Sequence, residues 1–457
     1  MTAKGLFSIV LVDLLLPAAI VLNIYLHFYP ILYGCAFPRS PSGAAPFRLL
    51  SLADPQIEGD TTLRKYDRLI PSTESLAALP LPQRIPAQAH TLGVKARKYG
   101  KMLDLWGNDL YLRHIYRTMK RHTFPTHVTV LGDLLGSQWI GDDEFFRRAE
   151  RFWKIFEGAE GVGGADLARG LATGEWERKL IMMPGNHDVG YAGDISRPRL
   201  NRYEKAFGPY NYQLSFHPPE NASFVTKPEL RIAVLNSLTL DTPIWDQSLQ
   251  DESYEFLEKL EKGWKEDPAQ ATLLLTHLPL HKPARICVDG PEITYFASHH
   301  GGGIKSQNFV SEDVSDKVKG WVFGRQSKGV IMTGHDHEGC QTVHFWDEER
   351  EAWGVRTWEG WNGDTKKVVR EVTVRSMMGE YGGNAGLFSA WFDYENNEWV
   401  FEYTSCSLGV QHIWWTVQVV NVITAIWAAV LVLWHVVDFL IMIPAKKKTV
   451  PEEKKKQ

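Results

Sequence analysis

Six short apolar runs of strand length recur through the middle of the chain. They start near Phe47, His127, Lys179, Arg231, Ala271 and Lys328, and they lead to Asp54, Asp133, Asn186, Asn236, His277 and His335. An apolar run without alternation fits a strand buried on both faces. Between several runs the spacing turns helical, as in Asp143 to Phe156 and Asp251 to Trp264. Strand and helix in alternation predict an α/β sheet whose ligands gather beyond the carboxyl ends of its strands. Later, Leu387 to Phe392 and Trp399 to Thr404 flank Glu395-Asn396-Asn397-Glu398 and predict a β-hairpin, read as part of a second sheet packed on the first.

Three insertions interrupt this order. Residues 60–123 carry a helical pattern near Asn108 to Lys120, residues 157–175 are rich in Gly and Ala and read as a mobile surface loop, and residues 282–327 carry His299 and His300. Long loops at the ligand end of a sheet commonly bind substrate. His299 and His300 have no other metal-type residues nearby in sequence, so they are set aside as ligands.

Both ends of the chain are apolar for longer than the sheet pattern requires. Gly5 to Tyr33 and Ile413 to Ile443 each exceed the roughly 20 residues that a membrane span needs. The first is longer than the apolar core of a signal peptide and reads as an uncleaved anchor (5–33). The second (413–443) is entered by Trp414-Trp415 and followed by Lys446-Lys447-Lys448. Positive charge after a span favours the cytosol, which places both termini there and the domain between them (45–408) in a lumen. Asn221-Ala222-Ser223 on that side is a glycosylation sequon. The basic tail, 444–457, ends in Lys454-Lys455-Lys456-Gln457, which resembles the di-lysine retrieval address of endoplasmic-reticulum (ER) membrane proteins. Inside the spans, Asp13 is placed to pair with His435, near Asp438; the alternative is that all three side chains reach for the interface.

The net charge of −4 offers no broad basic field, which argues against nucleic acid as a partner. The four cysteines show no zinc-ribbon spacing. In an oxidising lumen Cys287, Cys340 and Cys406 include a candidate disulfide, with buried thiols the alternative.

Polar strand ends carry the chemistry. Asp54-Pro55-Gln56, Gly132-Asp133, Gly185-Asn186-His187-Asp188, His277 and Gly334-His335-Asp336-His337 supply oxygen and imidazole ligands in a fixed order. Two cations a few ångströms apart can clamp the attacking and leaving oxygens of a phosphoryl displacement. Such a pair needs a carboxylate between them, and Asp133 fits that place. Asp54, Gln56 and His337 then complete one metal site, and Asn186, His277 and His335 the other.

These five motifs resemble the calcineurin-like metallophosphoesterase superfamily over residues 48 to about 340. The resemblance implies a four-layer αββα sandwich and a dinuclear hydrolase. It also implies that His187 is the acid that protonates the leaving oxygen, with Asp188 orienting it. His281 is expected to stand behind the ligands. The family usually has His where this chain has Gln56, and an amide oxygen tilts the first site towards Mn²⁺. The Asp-Pro-Gln form, flanking spans and lysine tail are similar to the fungal ER phosphodiesterases that remodel GPI anchors.

That narrower resemblance implies removal of ethanolamine phosphate from a mannose of the GPI glycan, the second mannose favoured. The implied partners are the GPI glycolipid or GPI-anchored protein, the bilayer, the ER cargo-export machinery and the coat that reads di-lysine signals. The implied location is the ER membrane, with cycling to the early Golgi. The alternatives are a hydrolase of another lumenal phosphoester (a lipid-linked sugar phosphate or a nucleotide) and a non-catalytic ER export adaptor. For the substrate's ammonium and sugar, Glu58 and Glu338 are candidate contacts, with Trp358 and Trp361 as stacking surfaces. The Gly-rich loop Arg375 to Asn384, with Tyr381 and Asn384, is expected to line the pocket.

Overall fold

The computed structural model describes residues 2–170, 175–218, 227–263, 267–324, 328–363 and 367–442. The sequon at Asn221 and the lysine tail lie outside these residues. The chain divides into two compact units, Pro30–Gln411 and a second one formed by the two ends.

Two sheets build the larger unit. One has six strands in the order Glu398–Ser407, Asn384–Asp393, Phe47–Leu52, His127–Val130, Lys179–Met182 and Glu160–Gly161. The last four run parallel. The other has seven, in the order Ala352–Thr357, Cys340–Asp347, Val368–Thr373, Gly329–Thr333, Gln270–Thr276, Glu229–Leu235 and Tyr212–Phe216. Its four central neighbours are parallel, from Val368–Thr373 to Glu229–Leu235.

The inner faces meet in one core. Phe47, Leu49, Phe388 and Ala390 from the first sheet pack with Ile232, Leu273, Leu275, Met332 and Val372 from the second. The alternate residues Leu50 and Leu52 are equally buried on the outer face. Burial on both faces explains the unbroken apolar runs. Helices form the outer layers. Leu81–Thr123 buries Tyr111, Leu112, Ile115 and Met119, with Met119 Sδ 3.7 Å from Cys406 Sγ on the first sheet. Gln247–Lys262 and Glu312–Phe323 flank the second sheet. This is the expected αββα sandwich.

Three expectations change. The hairpin Asn384–Asp393 and Glu398–Ser407 pairs with Phe47–Leu52 and so extends the first sheet; strands between Tyr212 and Thr373 build the second. The helix expected near Asn108 to Lys120 runs from Leu81 to Thr123, 43 residues. Pro86 and two glycines interrupt its apolar spacing and hide its first half. The Gly-rich insertion folds in part, with a short helix at Gly164–Arg169.

Two disulfides close the larger unit: Cys287–Cys340, and Cys35–Cys406 across 371 residues. Cys35 thus joins the three cysteines expected to include a pair. The terminal unit holds most of two apolar helical stretches, Ala3–Leu32, 30 residues, and Gln411–Ile441, 31 residues, each long and apolar enough to cross a membrane. Polar pairing between them is by Lys4 with Asp438 and by Asn23 Nδ2 with Asn421 Oδ1 at 2.8 Å. The expected Asp13–His435 pair does not form among the described residues; Asp438 is held by Lys4 instead.

Two buried histidines make stability sensitive to acid. Burial pushes His127 down to about 3, helped by Arg48, and His344 down to about 4 against the pull of Glu371. Both are neutral in the fold at neutral pH. The unfolded chain therefore binds more protons than the native state between the ordinary imidazole value and these lowered ones. Stability should be full above that range and fall as pH drops through it. Urea midpoints of the wild type and of His344→Gln between pH 7 and 4 measure this, and the variant should show the shallower slope.

Candidate metal centre

The parallel strands of both sheets end at one edge. Asp54, Asp133 and Asn186 arrive from the first sheet, and His277, His335 and His337 from the second. Asp54, Asp133 and His277 are buried, with ligand atoms all within 4.8 Å of one another. His277 Nε2 stands 3.4 Å from Asp133 Oδ1 and 3.0 Å from Asn186 Oδ1.

The backbone is bent to achieve this. Asp54, Gln56, Asp133 and His335 all have positive φ, between 42° and 74°. Four L-residues in the left-handed region at one site amount to stored strain, which persists only where the surroundings enforce it. The neighbouring glycines allow the loops to touch. A Cβ on Gly132 would stand 2.3 Å from His277 Nδ1, and one on Gly334 2.5 Å from Leu131 O. A Cβ on Gly185 would stand 2.1 Å from both the Asp133 amide and its Oδ1. Gly185→Ala should therefore displace Asp133. Bound metal should fall below one ion per chain, and any hydrolysis of a model phosphodiester should drop at least tenfold. Elemental analysis beside a rate assay reads both.

The electrostatics are incomplete without cations. Burial and the neighbouring Asp133 push Asp54 well above the usual carboxylate range and Asp188 up to about 8. Burial opposes charge on Asp133 as well, yet His277, His187 and His335 around it hold it below its ordinary value. Burial lowers His277, His335 and His337, so these rings carry lone pairs.

The tautomers follow from the outer bonds. His277 Nδ1 donates to Leu131 O at 2.8 Å, and His335 Nε2 donates to Gln307 O at 3.0 Å. His277 Nε2 is thereby left as a bare lone pair facing the amide oxygen of Asn186, a repulsion that a cation between them removes. Backbone carbonyls holding ligand imidazoles are the usual outer support of a metal site. Two carboxylates, one amide oxygen and three neutral imidazoles fit two divalent cations.

Gln56 sits beside this set with its amide turned. Its Nε2 donates to Asp133 Oδ2 at 3.1 Å and lies 3.3 Å from His337 Nε2. The oxygen expected to bind metal faces the inner site after half a turn of the terminal amide.

His187 stands at the rim. Its backbone N–H donates to Asp133 Oδ1 at 2.8 Å, its Nε2 lies 3.9 Å from Asp133 Oδ2, and its side chain is 39% exposed. It thus reaches over the central carboxylate from the solvent side. Asp188 does not orient this ring. Its carboxylate accepts the backbone N–H groups of Gly185, Leu134 and Leu135, because its side chain turns inward and is fully buried. Its task is to tie the Gly185 turn to the Asp133 turn.

Other expected residues scatter. Asn236 caps a short 3₁₀ helix through Leu238 N and brings no ligand. His281 lies with Glu312, Asp316 and Lys319 in a separate cavity, while its backbone bonds Ser315. His299 and His300 lie against each other in an exposed turn, their rings tilted by 48°. Glu58 is drawn to Lys101 at 3.0 Å, away from the ligands. Asn384 is buried at the start of its strand, with its backbone bonded to Ser376. The Tyr381 side chain lies outside those described.

Of the expected contacts, Glu338 and Trp358 line a cavity of about 310 Å³, with Glu359, Arg375 and Gln341. Arg375 pairs with Glu338 at 3.5 Å, and the Arg370 guanidinium covers one face of Trp358 at 3.9 Å. Trp361 packs on Phe345 instead. The glycine-rich loop braces the ligands from behind: Ser376 N donates to His337 O, and Met377 N to Ala53 O. Sequence reasoning missed Leu131, Gln307 and Met377, which act through backbone atoms and leave no side-chain signal.

Comparison with known proteins agrees with this geometry. The model of the family described as calcineurin-like phosphoesterase matches residues 104–339. Protein TED1 of Saccharomyces cerevisiae is 33% identical over 388 residues, 73% of this chain and 79% of that protein. An uncharacterized protein of Schizosaccharomyces pombe is 30% identical over 79% of this chain and 74% of its own length. Metallophosphoesterase 1 of Ailuropoda melanoleuca is 23% identical over 56% of this chain and 61% of its own length.

Proposed function

Because the chain belongs to the calcineurin-like phosphoesterase family, we take it to be a metal-dependent phosphoester hydrolase, and we propose that it removes ethanolamine phosphate from a mannose of the GPI-anchor glycan, with the second mannose favoured. We place the reaction at the lumenal face of the ER membrane, with both chain termini cytosolic and Mn²⁺ as the metal. The observation that carries this reading is the cavity lined by Glu338, the residue that follows His337 in the chain. It joins an aromatic face, Trp358, with two carboxylates, Glu338 and Glu359. A sugar ring stacks on such a face, and an ammonium group is drawn to such carboxylates. A volume of about 310 Å³ is at the low end for small-molecule pockets and suits one sugar with its substituent. The two apolar helices would keep this site near a lipid-linked substrate, raising its effective concentration.

Bound at this site, two divalent cations supply Lewis-acid stabilisation of the attacking and leaving oxygens. Asp54, Asp133, Asn186, His277, His335, His337 and the amide oxygen of Gln56 would hold them. The P–O bond to the mannose breaks as water's oxygen joins phosphorus. His187, at the exposed rim, delivers a proton to the mannose oxygen. Ethanolamine phosphate and a free mannose hydroxyl are the products. The support for Mn²⁺ is Gln56, whose hard oxygen replaces an imidazole.

A non-catalytic adaptor has no use for a complete, strained ligand set, which counts against that alternative. The purified full-length protein with Mn²⁺ should release ethanolamine phosphate from a synthetic mannose 2-linked to a second mannose that bears the diester. Release of nucleoside or of a lipid-linked sugar phosphate instead would overturn the substrate assignment.

A further inference from the structure

The first half of the long helix Leu81–Thr123 carries apolar side chains that nothing among the described residues covers. Leu81, Ile85, Leu92, Tyr99, Met102, Leu103 and Trp106 are each between 43% and 70% exposed. At 100° per residue, all but Met102 fall within roughly 60° around the helix, and Met102 lies about 40° outside that sector. The buried positions Thr91, Val94 and Leu105 occupy a different face, which the preceding helix Asp60–Leu69 helps to cover. The apolar stripe is therefore not the packing face. It runs for roughly 38 Å at 1.5 Å per residue.

Its C-terminal end has a fixed place. Gln411 Nε2 donates to Asn108 Oδ1 at 3.1 Å, and Tyr111 Oη donates to Gly409 O at 2.8 Å. Gly409 and Gln411 are the residues from which the chain continues into its second apolar helix. Trp106 is two residues from Asn108, so the stripe begins beside that exit. The charges fit as well. Leu81 to Trp106 contain Arg84, Lys95, Arg97, Lys98 and Lys101 against one carboxylate, Asp104. Lys98 pairs with Asp67, and Lys101 with Glu58 and Asp104, towards the packed side. Lys95 and Arg97 are exposed.

We propose that this helix docks on the surface of a lipid bilayer, with Leu81, Ile85, Leu92, Tyr99, Leu103 and Trp106 in the interface. A long apolar stripe with aromatic residues and nearby basic side chains is the composition of an interfacial helix. Docking adds a third attachment to the two chain ends and restrains the catalytic unit against the membrane. The proposal rests on the reading that the apolar helices cross a bilayer, which resistance of the membrane-bound chain to alkaline extraction checks separately.

The test uses the full chain in nanodiscs of phosphatidylcholine with phosphatidylinositol. No free cysteine is present among the described residues, so a single introduced thiol takes an environment-sensitive fluorophore selectively. Leu92→Cys places the probe on the stripe, and Arg97→Cys places it off the stripe. The expected result is a blue-shifted Leu92 probe that spin-labelled lipid quenches several-fold more than the Arg97 probe. Equal, water-like emission at both positions overturns the proposal. So does a shielded Leu92 probe that lipid does not quench but a second labelled copy does, which would assign the stripe to self-association. Hydrolysis of a soluble diester, followed in the same samples, reports on the metal centre alone, so failure of either reading is seen by itself.

Discussion

Asp133→Asn should abolish hydrolysis while leaving the fold intact. Asn is among the residues that best tolerate positive φ, so the backbone at 50° is preserved. The amide oxygen can still accept the His187 N–H that now bonds Asp133 Oδ1 at 2.8 Å. What disappears is the negative charge between the two ligand groups, in a site already crowded with neutral rings. Turnover of a model phosphodiester should fall on the order of 10³-fold, the scale for losing a preorganised electrostatic contact or more. Metal content, read by elemental analysis, should fall with it, while the unfolding midpoint should stay close to that of the wild type. A variant that keeps most of the wild-type rate would remove Asp133 from the chemistry.

The second large effect concerns stability. Lys282 is fully buried, with Nζ 2.7 Å from Glu371 Oε1 and 2.9 Å from Leu280 O. Glu371 also accepts from Leu280 N at 3.0 Å and from His344 Nε2. Burial works against its charge, yet Lys282 and His344 hold its carboxyl at about 2. Removing one partner leaves the other buried and uncompensated. Lys282→Met should therefore cost about 3–5 kcal/mol. The double variant Lys282→Met with Glu371→Gln should recover much of that loss, because the residual charge is gone. Urea unfolding of the four members of this cycle measures the coupling. Additive losses would mean that the ion pair does not act as a unit.

The fold was legible where burial on both faces left unbroken apolar runs. Strands expected from Phe47, His127, Lys179 and Ala271 begin within a residue of those positions. The strand from Arg231 starts slightly earlier, at Glu229, and the one from Lys328 slightly later, at Gly329. The metal residues were legible because each follows such a strand, and the α/β topology brings parallel strand ends to one edge. Sheet membership of the hairpin was not legible. Its apolar residues say that the first strand is buried, as Asn384–Asp393 is on both faces, but not which strand it pairs with.

Asp188 was misread for a related reason. A carboxylate next to a histidine in sequence need not face it, and here three backbone N–H groups draw it inward. The first half of the long helix was not legible because Pro86, Gly93 and Gly100 are poor helix residues, and only packing against its neighbours decides the matter. Cys35 and Cys406 stand 371 positions apart, and no spacing rule joins them.

The central claim is tested most directly by mass spectrometry of GPI glycans. The samples are cells lacking this protein, complemented with nothing, with the wild type, or with Asp133→Asn. The expected result is one ethanolamine phosphate that persists without the protein and with the variant and disappears with the wild type, its mannose identified in the same spectra. Identical glycans in all three would contradict the account.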